Sequence, residues 1–142
     1  GKGRLILDAR WEEGSGLLER ILRSPANLNQ KAEALALLCE GAVRTSRFSL
    51  IKEWVRILPG SADPVLRARI RIAEGLAVLN QGGGTGVLEA LTRDPAVPDD
   101  YRAQGLYQIW KFRDGHRDSR AAEAATELKK KYPLSTWASL VP

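Results

Sequence analysis

The sequence has few of the residues that form disulfides and metal sites, and it has no long apolar run. Its 142 residues include one cysteine, one histidine and no methionine. Cys39 cannot form a disulfide within the chain, and one cysteine with one histidine does not supply a zinc site. No apolar run approaches the roughly 20 residues of a membrane helix. We therefore expect no metal, no cofactor and no membrane span.

The sequence also lacks an initiator methionine and a signal-peptide pattern. We expect it to be an excised fragment or a processed chain, from which any targeting segment has been removed. The absence of such a segment therefore does not assign a compartment.

The composition is that of an ordinary globular domain, with 44% hydrophobic and 27% charged residues. A chain of this length forms about one domain with a substantial core. No segment alternates apolar and polar residues convincingly, as a half-buried strand does. Apolar residues recur at helical spacing instead, so the sequence predicts a single all-α domain.

The chain carries a formal net charge of +5. Such a charge is compatible with nucleic acid or an anionic lipid surface as partner. The basic residues are spread along the chain, however, and largely interleaved with acids. The run from Lys129 to Lys131 closes a predicted helix, where cations complement the helix dipole. The charge pattern therefore does not favour a nucleic-acid partner.

The segment 115–138, GHRDSRAAEAATELKKKYPLSTWA, has the clearest helical pattern. Its apolar positions recur 3, 4, 7 and 11 residues after the first, which places them on one buried helix face. A glycine turn precedes this helix, and Tyr132-Pro133 ends it because proline cannot continue the hydrogen-bond ladder. Leu134 and Ser135 then begin another helix. The buried face consists of Ala121, Ala124, Ala125, Leu128 and Tyr132.

A spacing close to 34 residues recurs along the chain. Prolines near predicted helix ends lie 34, 36 and 38 residues apart. Residues 38–41, LCEG, and residues 72–75, IAEG, are also offset by 34. Two landmarks in one register indicate a repeat, and about 34 residues is the period of tetratricopeptide (TPR) repeats. The prolines are Pro25, Pro59, Pro95 and Pro133.

This segment resembles the second helix of a TPR repeat running into the next repeat. The features that carry the resemblance are, in order, a glycine turn, an alanine-rich helix, Lys-Tyr-Pro and a small polar cap. The variant it most resembles is common in TPR proteins of the bacterial cell envelope. The resemblance implies a right-handed solenoid of antiparallel helical hairpins in the periplasm or cell envelope, with the cytoplasm as the alternative location. Another helical-hairpin repeat is the alternative fold, because the interval 41–59 is too short for a full-length helix pair. The implied units are 1–27, 28–62, 63–98 and 99–133, with 134–142 starting a further helix.

This frame also predicts individual helices and turns. Residues 4–11 are expected to end one helix, 14–16 to form a turn, and 17–22 to line a short second helix. The apolar residues of 65–79 cover more than one helix face, which predicts a helix buried between neighbours. Cys39 lies among leucines at helical spacing and is expected to be buried. Other helices are predicted over 28–44, over 48–58, after a cap at Ser61 or Asp63, between the turn 81–86 and Pro95, and after Pro98-Asp99-Asp100.

The resemblance further implies which residues face a partner. In TPR arrays the first helix of each pair lines the concave face, and ligand-facing positions recur at fixed offsets from its small residue. Guanidinium groups pair with carboxylates through two hydrogen bonds, so the implied partner is an acidic protein segment or a terminal carboxylate. The alternative is that these arginines are solvated outer residues. The implied positions are Arg69 and Asn80, counted from Gly75, and Arg102 and Arg113, counted from Gln108.

The four tryptophans divide into two pairs. Trp54 and Trp110 lie on strongly apolar helices, so we expect them in the core. Trp11 and Trp137 lie near the two ends of the predicted array. We expect these two to contact another repeat, another domain or a second copy of the chain. In the last case the chain would self-associate through the array ends.

No group of residues forms a convincing catalytic site. His116 lies in a polar turn, and Asp99 with Asp100 is first of all a helix start. The glycine-rich stretch 82–86 lacks the Lys-Ser/Thr and the preceding strand of a phosphate-binding loop. The sequence and the resemblance together favour a non-enzymatic protein-binding scaffold. The alternative is a helical accessory module of a larger enzyme or regulator whose active site lies outside this chain.

Ala124→Asp tests the predicted buried face of the 121–132 helix. An unpaired carboxylate on a buried face is costly, so we expect severe destabilisation in thermal unfolding. A melting temperature close to that of the parent protein would mean that this face is open to water.

Overall fold

The computed structural model describes residues 11–23, 28–56 and 63–142. Within these ranges the chain forms eight helices and no strand, which confirms the predicted all-α class. No helix in this part of the chain is long and apolar enough to cross a membrane. The helices are α1 (Trp11–Arg23), α2 (Leu28–Arg44), α3 (Phe48–Val55), α4 (Pro64–Asn80), α5 (Gly86–Arg93), α6 (Asp99–Gly115), α7 (Ala121–Lys131) and α8 (Thr136–Ser139).

The start of α4 is fixed by its own sequence. Asp63 Oδ1 accepts a hydrogen bond of 2.7 Å from the Val65 backbone N–H, and Pro64 occupies the first turn. Proline suits this position because the N–H groups of the first turn have no partner within the helix. Asp63 is therefore the cap, whereas the other candidate, Ser61, lies outside the described residues.

The turn predicted over 81–86 joins α4 to α5. Gly82 and Gly84 have φ angles of 82° and 81°, which glycine adopts without a steric penalty from Cβ. The Gly83 N–H donates to the Val78 carbonyl at 2.8 Å. The glycine run therefore ends α4 and turns the chain so that α5 packs against it.

The end of the chain folds back, because α8 packs against both α6 and α7. Ser135 Oγ accepts a hydrogen bond of 3.1 Å from the Ala138 N–H and so caps α8. Ala138 and Val141 are buried, and Lys129 Nζ donates to the carbonyl of Pro142 at 2.8 Å. Ala138 and Val141 thus pack in one core cluster with residues of α6 and α7.

Helix α1 runs through residues 14–16, so the turn predicted there is wrong. Gly14 and Ser15 are buried, and α1 packs along α2. A glycine inside a helix costs about 1 kcal/mol relative to alanine, and burial of one helix face against α2 outweighs that cost. The predicted helix tail before Trp11 and the predicted end of α3 at residue 58 lie outside the described residues.

Helix packing follows one regular rule. Each helix contacts the next one along the chain, and in addition α2 contacts α4, α4 contacts α6, and α6 contacts α8. Among the odd-numbered helices, α1 and α3 meet through the rings of Trp11 and Trp54, whose centroids lie 6.0 Å apart. The even-numbered helices therefore lie side by side, and the odd-numbered helices flank them.

Helix α4 is buried between neighbours, as its apolar pattern predicts. It contacts α2, α3, α5 and α6. Buried side chains occur on more than one of its faces, because Ile70 belongs to the core formed with α2 and α3, whereas Ala68 and Ile72 pack with Leu91 of α5. This helix therefore joins the two halves of the core.

Cys39 is fully buried in α2, which confirms its predicted place in the core. Burial, with smaller contributions from Glu40 and Glu74, raises the pKa of its thiol to about 12. The thiolate is the reactive form of cysteine. Cys39 is therefore protonated and unreactive in the folded protein at neutral pH.

Two glycines allow close contacts between helices. A Cβ built on Gly75 would lie 2.5 Å from Leu88 Cδ2 of α5, so this position of α4 requires a very small residue, as predicted. In α6 the close contact with α5 occurs at Gly105, where a Cβ would lie 3.0 Å from Leu91 Cδ2. Gln108, the residue predicted for the small position of α6, is only half-buried. The small position of α6 is therefore Gly105, three residues before the predicted one.

Gly75→Ala tests the contact between α4 and α5. Alanine normally stabilises a helix interior relative to glycine by about 0.5–1 kcal/mol, but here the added methyl group overlaps Leu88, which is itself fully buried. We expect overpacking to lower the free energy of unfolding by about 1–3 kcal/mol in urea denaturation. Gly16→Ala in α1 is the matched control, since nothing lies within 4 Å of its built Cβ, and it should be neutral or stabilising. Equal effects of the two substitutions would contradict a close α4–α5 contact.

Candidate functional site

The even-numbered helices line a groove on one side of the molecule. Its volume is about 310 Å³, and all four of these helices contribute to it. Helices α2 and α8 both line it although they do not contact each other within the described ranges. The groove therefore results from the side-by-side arrangement of α2, α4, α6 and α8. Its lining residues are Glu40, Val43 and Arg44 of α2, Ile72, Ala73 and Leu76 of α4, Gln104 of α6, and Trp137 of α8.

The groove has an apolar base and a polar rim. Ile72 and Ala73 are buried, which places them at the base. Arg44 is exposed, and Glu40 and Gln104 are half-buried. Such a mixture suits ligands that bury apolar atoms while their polar atoms form hydrogen bonds at the edge.

Arg69, one of the predicted partner-binding residues, connects α4 to α2 beside the groove. Its Nε donates to Glu40 Oε2 at 3.0 Å, and its Nη2 donates to Glu40 Oε1, so the pair is bidentate. The hydrogen bond with Glu40 raises the pKa of the guanidinium, and Tyr101 and Glu33 are close enough to add to this rise. Arg69 therefore lies on the same side of α4 as α2 and α6, and it helps to orient the Glu40 carboxylate.

Trp137 is held in the groove wall by an aromatic cluster. Its ring centroid lies 5.3 Å from that of Tyr107, which in turn lies 5.8 Å from that of Trp110. Both neighbours belong to α6, and the cap at Ser135 fixes the start of α8. Trp137 was predicted to make contacts at an array end, and the structure places it between this cluster and the groove.

Trp11, the other predicted end-face residue, has partners within the chain. Its ring centroid lies 6.0 Å from that of Trp54, and the Arg47 guanidinium lies 4.7 Å from it. Trp54 is buried, as predicted, whereas Trp110 is only half-buried and packs against the core. A contact of Trp11 with a second molecule stays a prediction.

Asn80 and Arg102 are not among the residues that line the groove. Asn80 is exposed at the last position of α4. Arg102 Nε donates to the Val97 carbonyl at 3.0 Å, and its Nη2 donates to Asp99 Oδ1 at 3.0 Å. Arg102 thus contacts the connection between α5 and α6.

Arg113 is buried between helices. Its side chain is 8% exposed, and its Nη2 lies 3.0 Å from Glu89 Oε1 of α5. Its Nη1 lies 3.5 Å from the Arg120 carbonyl, just before α7. The offsets that assigned Arg102 and Arg113 to a partner were counted from Gln108, whereas the close contact of α6 with α5 is at Gly105. Of the four predicted residues, the structure brings only Arg69 to a residue of the groove.

Sequence reasoning assigned no role to most of the groove residues. Ile72 and Leu76 follow Arg69 by 3 and 7 positions, which is the spacing of one helix face. That spacing could have indicated that Ile72 and Leu76 lie on the same side of α4 as Arg69. Gln104 had no such signal, because its place in the groove depends on how α6 packs beside α4 and α8.

Other polar groups offer little chemistry. His116 is exposed, and its Nδ1 donates to the Phe112 carbonyl at 2.8 Å. The described ranges contain no group of three or more His, Cys, Asp or Glu side chains placed to hold a metal ion. Asp99 and Asp100 lie in the first turn of α6, where carboxylates complement the helix dipole.

Comparisons with protein-family models, curated proteins and solved structures return no match. The resemblance to TPR repeats therefore stays a prediction from the sequence.

Glu89→Ala tests whether the buried arginine is internally paired. The substitution leaves the Arg113 guanidinium buried without its carboxylate, and Arg113 Nε already has no hydrogen-bond partner in the described part of the chain. Because Glu89 is 35% exposed, we expect a loss of about 2 kcal/mol in the free energy of unfolding, below the 3–5 kcal/mol of a fully buried pair.

Glu127→Ala is the matched control for this measurement. Glu127 pairs with Lys131 at 2.7 Å on the exposed surface of α7, where solvent screening leaves such pairs little effect on stability. A loss for Glu89→Ala no larger than for this control would contradict the internal role of Arg113.

Proposed function

We propose that this chain is a non-enzymatic protein-binding scaffold, built as a TPR-like right-handed solenoid of helical hairpins, and that it binds a partner segment in the groove. The observation that supports this most directly is the packing rule. The even-numbered helices adjoin one another and together line one groove. Stacked hairpins form extended concave surfaces in this way.

The positions of the helices along the chain agree with the predicted units. Helices α2 and α3 fall within 28–62, α4 and α5 within 63–98, and α6 and α7 within 99–133. Helix α8 falls within 134–142. Under the proposal, each pair is one hairpin, α1 is the second helix of an earlier hairpin, and α8 begins the next.

The chemistry of the groove favours binding over bond breaking. The acid that lines it, Glu40, is already paired with Arg69. Its remaining lining is aliphatic, aromatic or amide, apart from Arg44 at the rim. A location in the periplasm or cell envelope rests on the resemblance alone, and self-association through the ends remains a separate prediction.

The test is a pull-down in which the chain is the bait and Gln104→Arg is the altered bait. Gln104 is half-buried in the groove wall, so a longer charged side chain there obstructs the groove. Thr126→Arg is the matched control, because Thr126 is exposed on α7 and the charge change is the same.

We expect the parent chain and Thr126→Arg to capture the same partner, and Gln104→Arg to capture much less at an unchanged melting temperature. Equal capture by all three baits would show that partners bind elsewhere.

A further inference from the structure

We infer that this chain binds a second copy of itself head to tail, with the segment 134–142 of one copy packed against α1 and α2 of the next. Association between copies is separate from the capture of another protein, so it goes beyond the proposed function. The contacts are between helix faces rather than through Trp11 and Trp137, since the rings of both tryptophans have neighbours within the chain.

The packing rule defines the position that the second copy takes. Helix α2 packs against α3 and α4, α4 packs against α5 and α6, and α6 packs against α7 and α8. Within the described ranges no even-numbered helix packs in this way against the pair α1 and α2. The even-numbered helix α8, in the same ranges, contacts α6 and α7 alone. Helix α8 of one copy is therefore the kind of neighbour that α1 and α2 of another copy can accept.

A groove between α1 and α2 lies at this position, and we call it the α1–α2 groove. It has a volume of about 370 Å³, and both helices line it. Most of its lining is aliphatic, so an apolar segment placed there loses contact with water, which is the main favourable term in association. The lining residues are Leu18 and Ile21 of α1, and Gln30, Glu33, Ala34 and Leu37 of α2.

Exposed apolar side chains are concentrated on α1 and on the segment 134–142. The described part of the chain exposes five large apolar side chains, and four of them lie in these two places. Leu17, next to Leu18 of the α1–α2 groove, is 57% exposed, and Leu134 is 99% exposed. Exposed apolar residues are normally scattered singly, so this distribution favours burial of one end against the other. The four residues are Leu17, Ile21, Leu134 and Leu140.

The segment 134–142 is already held in one conformation by its own molecule. Ala138 and Val141 are buried in the cluster formed with α6 and α7, and Ser135 caps α8. Leu134 and Leu140 remain outside that contact, because both are exposed. An ordered surface loses little conformational entropy on binding, so the two leucines can be buried against a second copy at low entropic cost.

Charges beside the two surfaces favour the joining of unlike ends. Glu33 lines the α1–α2 groove, whereas α7 ends in Lys129, Lys130 and Lys131, just before the segment 134–142. Joining like ends brings glutamate toward glutamate or lysines toward lysines, and joining unlike ends brings opposite charges together. Complementary charges suppress the wrong pairing. Contacts between unlike ends also let a third copy add to the second, unless the copies close into a ring.

Sedimentation equilibrium of the purified chain, up to about 1 mM, tests the inference, because weak associations are populated at such concentrations. The head variant carries Leu17→Glu with Ile21→Glu, and the tail variant carries Leu134→Glu with Leu140→Glu. The matched control carries Val65→Glu with Thr126→Glu. It changes the charge equally and removes the fifth exposed apolar side chain, that of Val65 on α4. All substituted side chains are exposed, so thermal unfolding should show folded proteins throughout.

We expect the average mass of the parent chain and of the control to rise with concentration beyond that of a dimer. The head variant and the tail variant should each remain monomeric, because each lacks one of the two surfaces. Their equimolar mixture should form a dimer and nothing larger, since the intact tail of one variant fits the intact head of the other.

A parent chain that stays monomeric over the whole concentration range would overturn the inference. So would a head or tail variant that still dimerises alone, because that result indicates a contact between like ends. A mixture that remains monomeric while the parent chain associates would place the contact elsewhere. None of these results depends on the pull-down, so the inference and the proposed function can fail separately.

Discussion

Helix α4 is in contact with four other helices, and its contact with one of them requires a residue without a side chain. It contacts α2, α3, α5 and α6, and at Gly75 even a Cβ would overlap Leu88 of α5. Interiors are packed so densely that one extra methyl group at such a contact displaces its surroundings. Because α4 lies between α2 and α6 and supplies Ile72 and Leu76 to the groove, the shape of the groove depends on this packing.

Ion pairs between arginine and carboxylate fix the helices in register around that core. Arg69 connects α4 to α2, Arg113 connects α6 to α5, and Arg71 of α4 contacts Asp94, just after α5, at 2.7 Å. The pKa of Asp94 is lowered first by the hydrogen bond from the Ala96 N–H and then by Arg71. These arginines therefore act within the protein, which accounts for part of its basic composition without an anionic partner.

Features with a local cause were predictable from the sequence, and features with a distant cause were not. The start of α4 was predictable because a cap bonds an N–H two residues away, as Asp63 does. The helical path of residues 14–16 was not predictable, because it depends on the burial of one face of α1 against α2. Glu40 lies 29 residues from Arg69, and no sequence pattern indicates that the two form an ion pair. Arg69 was therefore predicted to bind a partner. The close contact of α6 at Gly105 rather than at Gln108 is set by three-dimensional packing alone.

The central claim is that α2 and α8 face each other across one groove. A nitroxide attached at Arg44→Cys tests it, since the pKa of about 12 and full burial protect Cys39 from the label. In a flat layer with about 8–10 Å between neighbouring helix axes, three spacings would separate α2 from α8. The account predicts strong broadening of the Trp137 indole N–H signal relative to the same protein with the nitroxide reduced. A Trp137 signal that keeps its intensity in the folded, fully labelled protein would contradict the groove.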